Sequence, residues 1–346
     1  MTQPSTPREL ELATVSQLLN RESLSEAQSE AFFAGVARGD IDPIVLASVL
    51  TALKLKGETA LEIAGAAKAF RAAATPLPET GMPVIDCCGT GGDGSNTINI
   101  STTAAIVAAA MGLKVAKHGN RSVSSQSGSA DLLEQLGIEI QMNPQTAAHT
   151  LQQAGVSFLF APVYHSGIRH AMRVRTALKT RTLFNLLGPL LNPAAPKFQL
   201  LGVYDKALCP ILAEALLQLG VERAWVVHGE GCDEIALHGV TDVCEVRDGQ
   251  IQQFRLTAAD FGLTPVPLDA LRGGKPAENA QASRDILSGK APAAHRAAIA
   301  ANVAAMLKIC GHGEDLAANT QAVLDLLATD QAMTTLQQFR EASHGN

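Results

Sequence analysis

An apolar run, Val84 to Cys88, empties directly into Gly-Thr-Gly-Gly-Asp-Gly at residues 89–94. That junction constrains the fold more than any other stretch, because a buried strand followed at once by a glycine loop belongs to layered α/β architecture. Glycines at 89, 91, 92 and 94 leave backbone N–H groups unshielded and permit positive φ, the condition for wrapping a phosphate closely. The pattern is neither GxGxxG nor a nucleotide loop ending in Lys-Ser/Thr, so dinucleotide and nucleoside triphosphate readings lose support. On the glycines alone, a plain tight turn would serve as well.

The rest of the chain supplies the layers. From Arg8 to Ala74 it reads as consecutive short helices, with Leu10, Leu12, Val15, Leu18 and Leu19 at helical spacing and breaks at Gly39-Asp40 and Lys56-Gly57. The linker TPLPETGMP ends this part. Beyond the glycine loop, helices expected near Thr102–Met111 and Ala130–Leu136 alternate with short apolar runs. Strands are expected at Lys114–Ala116, Ile138–Gln141, Ser157–Phe160, Gln199–Val203 and Ala224–Val227. Such alternation predicts an α/β domain with a mixed, mostly parallel sheet covered by helices. Asp248-Gly249 is a hairpin signal, adding an antiparallel appendage, and the Ala-rich tail would cover one face.

Composition excludes several classes. The longest apolar stretch, Ala104 to Leu113, is far short of the ~20 residues a bilayer requires, and the opening MTQPSTPRELE is polar, so a cytoplasmic, membrane-free enzyme is expected. Six cysteines lack CxxC spacing and read as reduced core thiols. A net charge of −6 with two Tyr and one Trp removes the electrostatic footprint of a nucleic-acid binder.

Chemistry concentrates in four further segments. NISTT, Asn99 to Thr103, opens an Ala-rich helix whose orphan N–H groups make an anion site. There Ser101 either caps the helix or also touches an anion or its metal. KHGNRSVSSQSGSAD, Lys117 to Asp131, crowds cations, serines and glycines into one strand-to-helix connection, with His118 as readily a structural hydrogen-bonder as a catalyst. HSGIRHAMRVRTALKTRTLFNLLGPLLNP, from His165, packs Arg169, Arg173, Arg175 and Arg181 ahead of an apolar turn. GEGCDEIALHG places adjacent acids, Asp233 and Glu234, after a strand, which suits a hard cation such as Mg²⁺.

Taken in order, GTGGDG, NIST, KHGNRSVSSQSGSAD, RTLFNLLGPLLNP and CDEI resemble the anthranilate phosphoribosyltransferase family. The resemblance spans nearly the whole chain, including SVLTALKLKGETALEIAGAAKAF. It implies transfer of a 5-phosphoribosyl group from phosphoribosyl diphosphate (PRPP) to the amine of anthranilate, releasing pyrophosphate with Mg²⁺ required. The implied fold is that of class II nucleoside phosphorylases. Residues 1–76, with a later contribution from about 167–189, would form a small helical domain hinged on a large α/β domain, 77–166 and 190–346. The family is usually homodimeric through the small domain, and a glutamine amidotransferase subunit of anthranilate synthase is a conceivable partner.

Carried over by position, the resemblance assigns PRPP to Gly89, Gly92, Asp93, Thr97, Asn99, Ile100, Ser101, Thr102, Lys117, His118, Gly119, Asn120, Arg121, Ser122, Val123, Ser124, Ser125 and Ser129. Anthranilate falls to Gly89, Asn120 and Arg175, and Mg²⁺ to Ser101, Asp233 and Glu234. No general base is assigned. Arg173 stands where relatives commonly have Pro, and Arg175 is expected to meet the anthranilate carboxylate. A pyrimidine nucleoside phosphorylase on the same fold would carry a KxSTGGVGD-type loop, absent here. A nucleic-acid-binding relative would lose the glycine and Asp-Glu motifs, which are present.

Overall fold

The computed structural model describes residues 6–122 and 126–345. Local rules set the N-terminal helices, Pro7–Leu19, Glu26–Arg38, Pro43–Lys56 and Ala60–Ala72. Ser25 and Thr59 begin their helices with reciprocal capping boxes to Gln28 and Glu62, Asp42 caps Ile44 N–H, and Gly39 ends its helix in the left-handed region at φ 83°. These helices pack on one another and on a later helix, Arg169–Leu178, which buries Ala171 and Val174 against the same apolar cluster.

Among the described residues, seven strands form one sheet: β1 Ile85–Gly89, β2 Val115–Gly119, β3 Val156–Phe160, β4 Phe198–Gly202, β5 Arg223–Gly229, β6 Thr241–Arg247 and β7 Gln250–Leu256. Their order is β3-β2-β1-β4-β5-β6-β7, parallel from β3 through β5 and antiparallel from β5 through β7. The β6–β7 hairpin turns at Asp248-Gly249 with φ 53° and 73°, both positive as a two-residue primed turn requires. The mixed, mostly parallel sheet read from the sequence is therefore present.

One expected strand is absent. Ile138 and Ile140 are buried while Glu139 and Gln141 are exposed, an alternation that imitates a strand. The segment instead links two helices. Glu139 N–H donates to Ser343 Oγ (3.0 Å) and Gln141 N–H to Glu139 Oε1 (2.7 Å), so its backbone is satisfied by side chains and no ladder forms.

The two faces of the sheet bury different chemistry. Along β5, Trp225 and Val227 point into one core with the helices Ile100–Ala110 and Ala293–Ile309, while Ala224 and Val226 point into the other with the helix Leu208–Gln218 and the N-terminal helices. Toward β1 and β2 that second face turns polar. There the successive carbonyls of Gly188, Pro189 and Leu190 face His118 Nδ1 (3.1 Å), Gln199 Nε2 (2.7 Å) and Arg71 Nε (2.5 Å). Asn192 donates to Asp86 Oδ2 (2.8 Å) and to Ala116 O (2.7 Å). The GPLLN segment, with no ladder of its own, is thus tied to the sheet through buried side chains.

Burial keeps His118 neutral in spite of its bond to Gly188 O, which favours the charged ring. Burial foremost, then the neighbouring His165, push its pKa down to about 3, and burial takes His165 to about 4. The unfolded chain, with His near 6.5, binds more protons below that pH, so each histidine withdraws stability as pH falls toward its folded value. His118→Gln keeps a donor for Gly188 O and removes the titration. Urea unfolding at roughly pH 5.5 and 4.5 should show the wild type losing up to about 1.4 kcal/mol per pH unit more than the variant.

Candidate active site

The site forms where the strand order reverses, between β1 and β4, outside the carboxyl ends of the parallel strands. Three adjacent strands end there in glycine: Gly89 on β1, Gly202 on β4 and Gly229 on β5. The chain 232–234, returning from β5, crosses directly over them. A Cβ on Gly89 would sit 2.1 Å from Asp233 Oδ2, one on Gly202 1.6 Å from Asp233 O, and one on Gly229 2.4 Å from Glu234 O. Only glycine admits the two acids to the floor of the cleft.

Once there, the acids organise both anion-binding elements. Gly91 and Gly92 adopt φ 67° and 78°, which turns the loop so that Gly91 N–H donates to Asp233 Oδ2 (2.8 Å). Asp233 N–H in turn lies 3.3 Å from Asp93 Oδ2. The helix Ile100–Ala110 has Asn99 at its N-cap position, yet no side chain of its own caps it. Ser101 N–H donates to Glu234 Oε1 (3.1 Å), so an acid from the other end of the chain takes the place of a cap. Ser101 lies within the first turn, which sets aside the reading of it as the N-cap and leaves its hydroxyl to accept from Lys117.

Lys117 is buried beneath this floor. Its ammonium donates to Cys87 O and to Ser101 Oγ (3.3 Å). Burial opposes its charge, but Cys87, Cys88, Asp86 and Glu234 outweigh burial and raise its pKa. It meets the cleft through the serine hydroxyl. Asn99 ties the wall together, donating from Nδ2 to Ser127 O (3.0 Å) and accepting from Asn279 Nδ2 (2.7 Å), while Thr102 Oγ1 donates to Ser129 Oγ (2.9 Å). Thr97 is held against Arg272 by an isolated backbone bridge.

Asp93, Asp233 and Glu234 form a cluster of like charge. Low hydration at the floor, followed by the Asp93 charge, raises Asp233 to about 6, and the same causes with Asp233 as the nearest charge raise Glu234 to about 8. A divalent cation would relieve that repulsion, and the hard oxygens of Ser101, Asp233 and Glu234 fit Mg²⁺ by donor type. Among the described residues no three His, Cys, Asp or Glu side chains converge as a complete metal cage.

A family model described as "Glycosyl transferase family, a/b domain" matches residues 81–333, and its companion, "Glycosyl transferase family, helical bundle domain", matches 13–74. The chain is 53% identical over 327 residues to an anthranilate phosphoribosyltransferase of Vibrio cholerae serotype O1, covering 94% of this chain and 98% of that one. The chain belongs to the anthranilate phosphoribosyltransferase family. Among solved structures, the enzyme from Thermus thermophilus superposes with a TM-score of 0.90 at 40% identity, covering 96% of this chain and 99% of that one. The enzyme from Saccharomyces cerevisiae in complex with PRPP and Mg gives 0.88 at 30% identity, covering 97% and 98%.

In this family member the sequence-assigned residues are placed differently. Gly89, Gly92, Asp93, Asn99, Ile100, Ser101, Thr102, Lys117, Ser129, Asp233 and Glu234 meet around the loop and the helix start. Two side chains turn elsewhere: His118 packs edge-on to His165 beneath GPLLN, and Arg121 makes a fork to Glu134 (2.5 and 2.7 Å) with a further bond to Asp131 (3.1 Å). Gly119, Asn120 and Ser122 begin the next loop, where Ser122 N–H donates to Asp131 Oδ2 (3.1 Å). Val123, Ser124 and Ser125 lie outside the described residues.

Arg175 occupies the helix Arg169–Leu178, its guanidinium 5.2 Å above the Phe184 ring, where burial lowers its pKa. A desolvated guanidinium on an aromatic face suits a planar carboxylate. Arg173 is exposed on the same helix, so a position often held by Pro is here helical. Sequence reasoning noted Arg181 only as one of four clustered arginines and gave it no role, though it reaches Gly92 O, and it missed Asn279, which holds Asn99 and which nothing local marks.

Gly202→Ala and Gly89→Ala separate the two kinds of crossing. The first meets backbone oxygen and should cost roughly 1–3 kcal/mol of stability, while the second meets the movable end of Asp233 and should cost less than about 1 kcal/mol. Urea unfolding of both variants measures the difference.

Proposed function

We infer that the protein transfers the 5-phosphoribosyl group of PRPP to the amine of anthranilate, giving N-(5-phosphoribosyl)anthranilate and pyrophosphate on the route to tryptophan, with Mg²⁺ as cofactor. The observation that carries it is the convergence of Asp233 and Glu234 on both anion-binding elements, the glycine loop and the helix start at Ser101. A phosphate site with buried acids fits a metal-bound diphosphate better than a bare phosphate.

We propose that Gly89, Gly92, Asp93, Thr97, Asn99, Ile100, Ser101 and Thr102 cradle the diphosphate and ribose together with Ser129 and the loop after β2. Ser101, Asp233 and Glu234 would hold Mg²⁺, which when bound offsets the negative charge of the departing diphosphate. Lys117 supports the same charge from below, through Ser101 Oγ. Arg175 would take the anthranilate carboxylate, with Gly89 and Asn120 placing the amine against C1 of the ribose. The C1–oxygen bond to diphosphate breaks as the C1–nitrogen bond forms, and the nitrogen releases its extra proton afterwards. An aromatic amine is already uncharged at neutral pH, so positioning and electrostatics carry the reaction and no side chain is assigned as base.

We also propose that residues 1–76 and about 167–189 move as one small domain against 77–166 and 190–346. A second copy of the chain is the partner we favour for the exposed Leu12, Leu19, Ile44, Leu55 and Met172, which sit on three neighbouring helices. A glutamine amidotransferase subunit is a further candidate partner. No helix among the described residues is long and apolar enough to cross a membrane, and we propose cytoplasmic residence.

Loss of anthranilate fluorescence should require PRPP and Mg²⁺ together, and turnover without PRPP would refute the reading. Arg175→Ala should raise KM for anthranilate roughly tenfold, with little change in KM for PRPP. Asp233→Asn with Glu234→Gln should lower turnover on the order of 10²-fold and shift the Mg²⁺ titration to higher concentration; an unaltered titration would remove both acids from the metal site.

A further inference from the structure

Between the helix Arg169–Leu178 and the turn Phe184–Leu187, the chain passes Arg181, which takes no part in the assignments above. Its guanidinium stacks 3.7 Å from the centre of the Tyr204 ring and donates through NH2 to Gly92 O in the glycine loop. Tyr204, just beyond the end of β4, is tied to the same loop, its N–H donating to Thr90 Oγ1 (3.2 Å), and Thr90 N–H donates to Gly202 O (2.9 Å). Arg181 thus closes a ring of contacts among the segment after β3, the end of β4 and the loop after β1.

We propose that Arg181 is a positioning residue that sets the glycine loop for PRPP, a role that rests on the function proposed above. Gly92 stands at φ 78°, in a loop whose glycines could adopt many backbone states, and each state aims the loop amides differently. A trans peptide points its C=O and the following N–H in opposite directions, so a donor fixed on Gly92 O also fixes the direction of Asp93 N–H. The positive charge on that carbonyl polarises the peptide and strengthens its N–H as a donor to an anion. Gly91 N–H is held by Asp233, so the loop is gripped on one side by an acid and on the other by a cation. Arginine suits the place because its planar face can lie on Tyr204 while its edge donates; an ammonium cannot do both. Because Arg181 arrives on the segment that also carries Arg175, the contact joins the acceptor side of the cleft to the donor loop.

Steady-state kinetics with melting temperatures test this. Arg181→Ala should raise KM for PRPP roughly tenfold while KM for anthranilate changes less than about twofold and the melting temperature stays near the wild type. Tyr204→Leu should raise the same KM by a smaller factor, and the double variant should be no worse than Arg181→Ala, since the two act through one contact. Arg181→Lys should recover only part of the loss. An unchanged KM for PRPP in Arg181→Ala overturns the proposal, as does an equal rise in both KM values. Full recovery by lysine would overturn the stacked, forked role in favour of charge alone. Should the wild type itself fail to consume anthranilate with PRPP, the proposed function falls instead.

Discussion

Asp233 and Glu234 lie where they do because three neighbouring strands end in residues without side chains. The carbonyl oxygen of Asp233 occupies the space a Gly202 side chain would need, and its carboxylate the space of one on Gly89. From that position it accepts from Gly91 N–H, and Glu234 beside it accepts from Ser101 N–H. The conformation of the glycine loop, the start of the helix Ile100–Ala110 and the local excess of negative charge all follow from that crossing. The first glycine of GTGGDG thus serves an acid distant in sequence, while Gly91 and Gly92 supply the left-handed turn.

The charge balance of the floor sets which ligands the arrangement favours. Two acids raised by low hydration and by a neighbouring carboxylate, Asp93 acting on Asp233 and Asp233 on Glu234, lie above one buried ammonium, Lys117. Their hydrogen bonds go to backbone amides that would otherwise be orphaned at a helix start and in a loop. A cation with diphosphate would answer both signs at once, the proposed metal against the acids and the phosphates toward the helix dipole. Preorganised donors of this kind require little rearrangement during the reaction.

The opposite face of the sheet accounts for the placing of the acceptor side. Where β4 to β6 bury apolar residues, β1 and β2 bury Asp86 and His118, and these hold Gly188 to Asn192 by side-chain hydrogen bonds to backbone and amide. The segment carrying Arg175 and Arg181 is therefore anchored to the sheet at its far end, while its helix packs with the N-terminal helices.

Much of this was legible in the chain itself. Strand-to-loop junctions, the Asp248-Gly249 hairpin and the helix that NISTT opens are local signals, and each appears where its period or turn chemistry places it, although Asn99 and not Ser101 takes the N-cap position. The one strand that failed, Ile138–Gln141, shows why period alone is insufficient: alternation records which side is buried, not whether a neighbouring strand is present. Motif order also brought the glycine loop, Lys117 and the acids under one chemistry. Only the tertiary structure decided how they meet: that His118 and Arg121 turn away, that Lys117 acts from beneath Ser101, and that Arg181 rather than another of its arginines reaches the loop. Those outcomes depend on side-chain direction and on contacts between residues some ninety to one hundred and forty positions apart, such as Gly92 with Arg181 and Gly91 with Asp233. No local pattern encodes them, because the energy that selects them exists only once the sheet has brought the strand ends together.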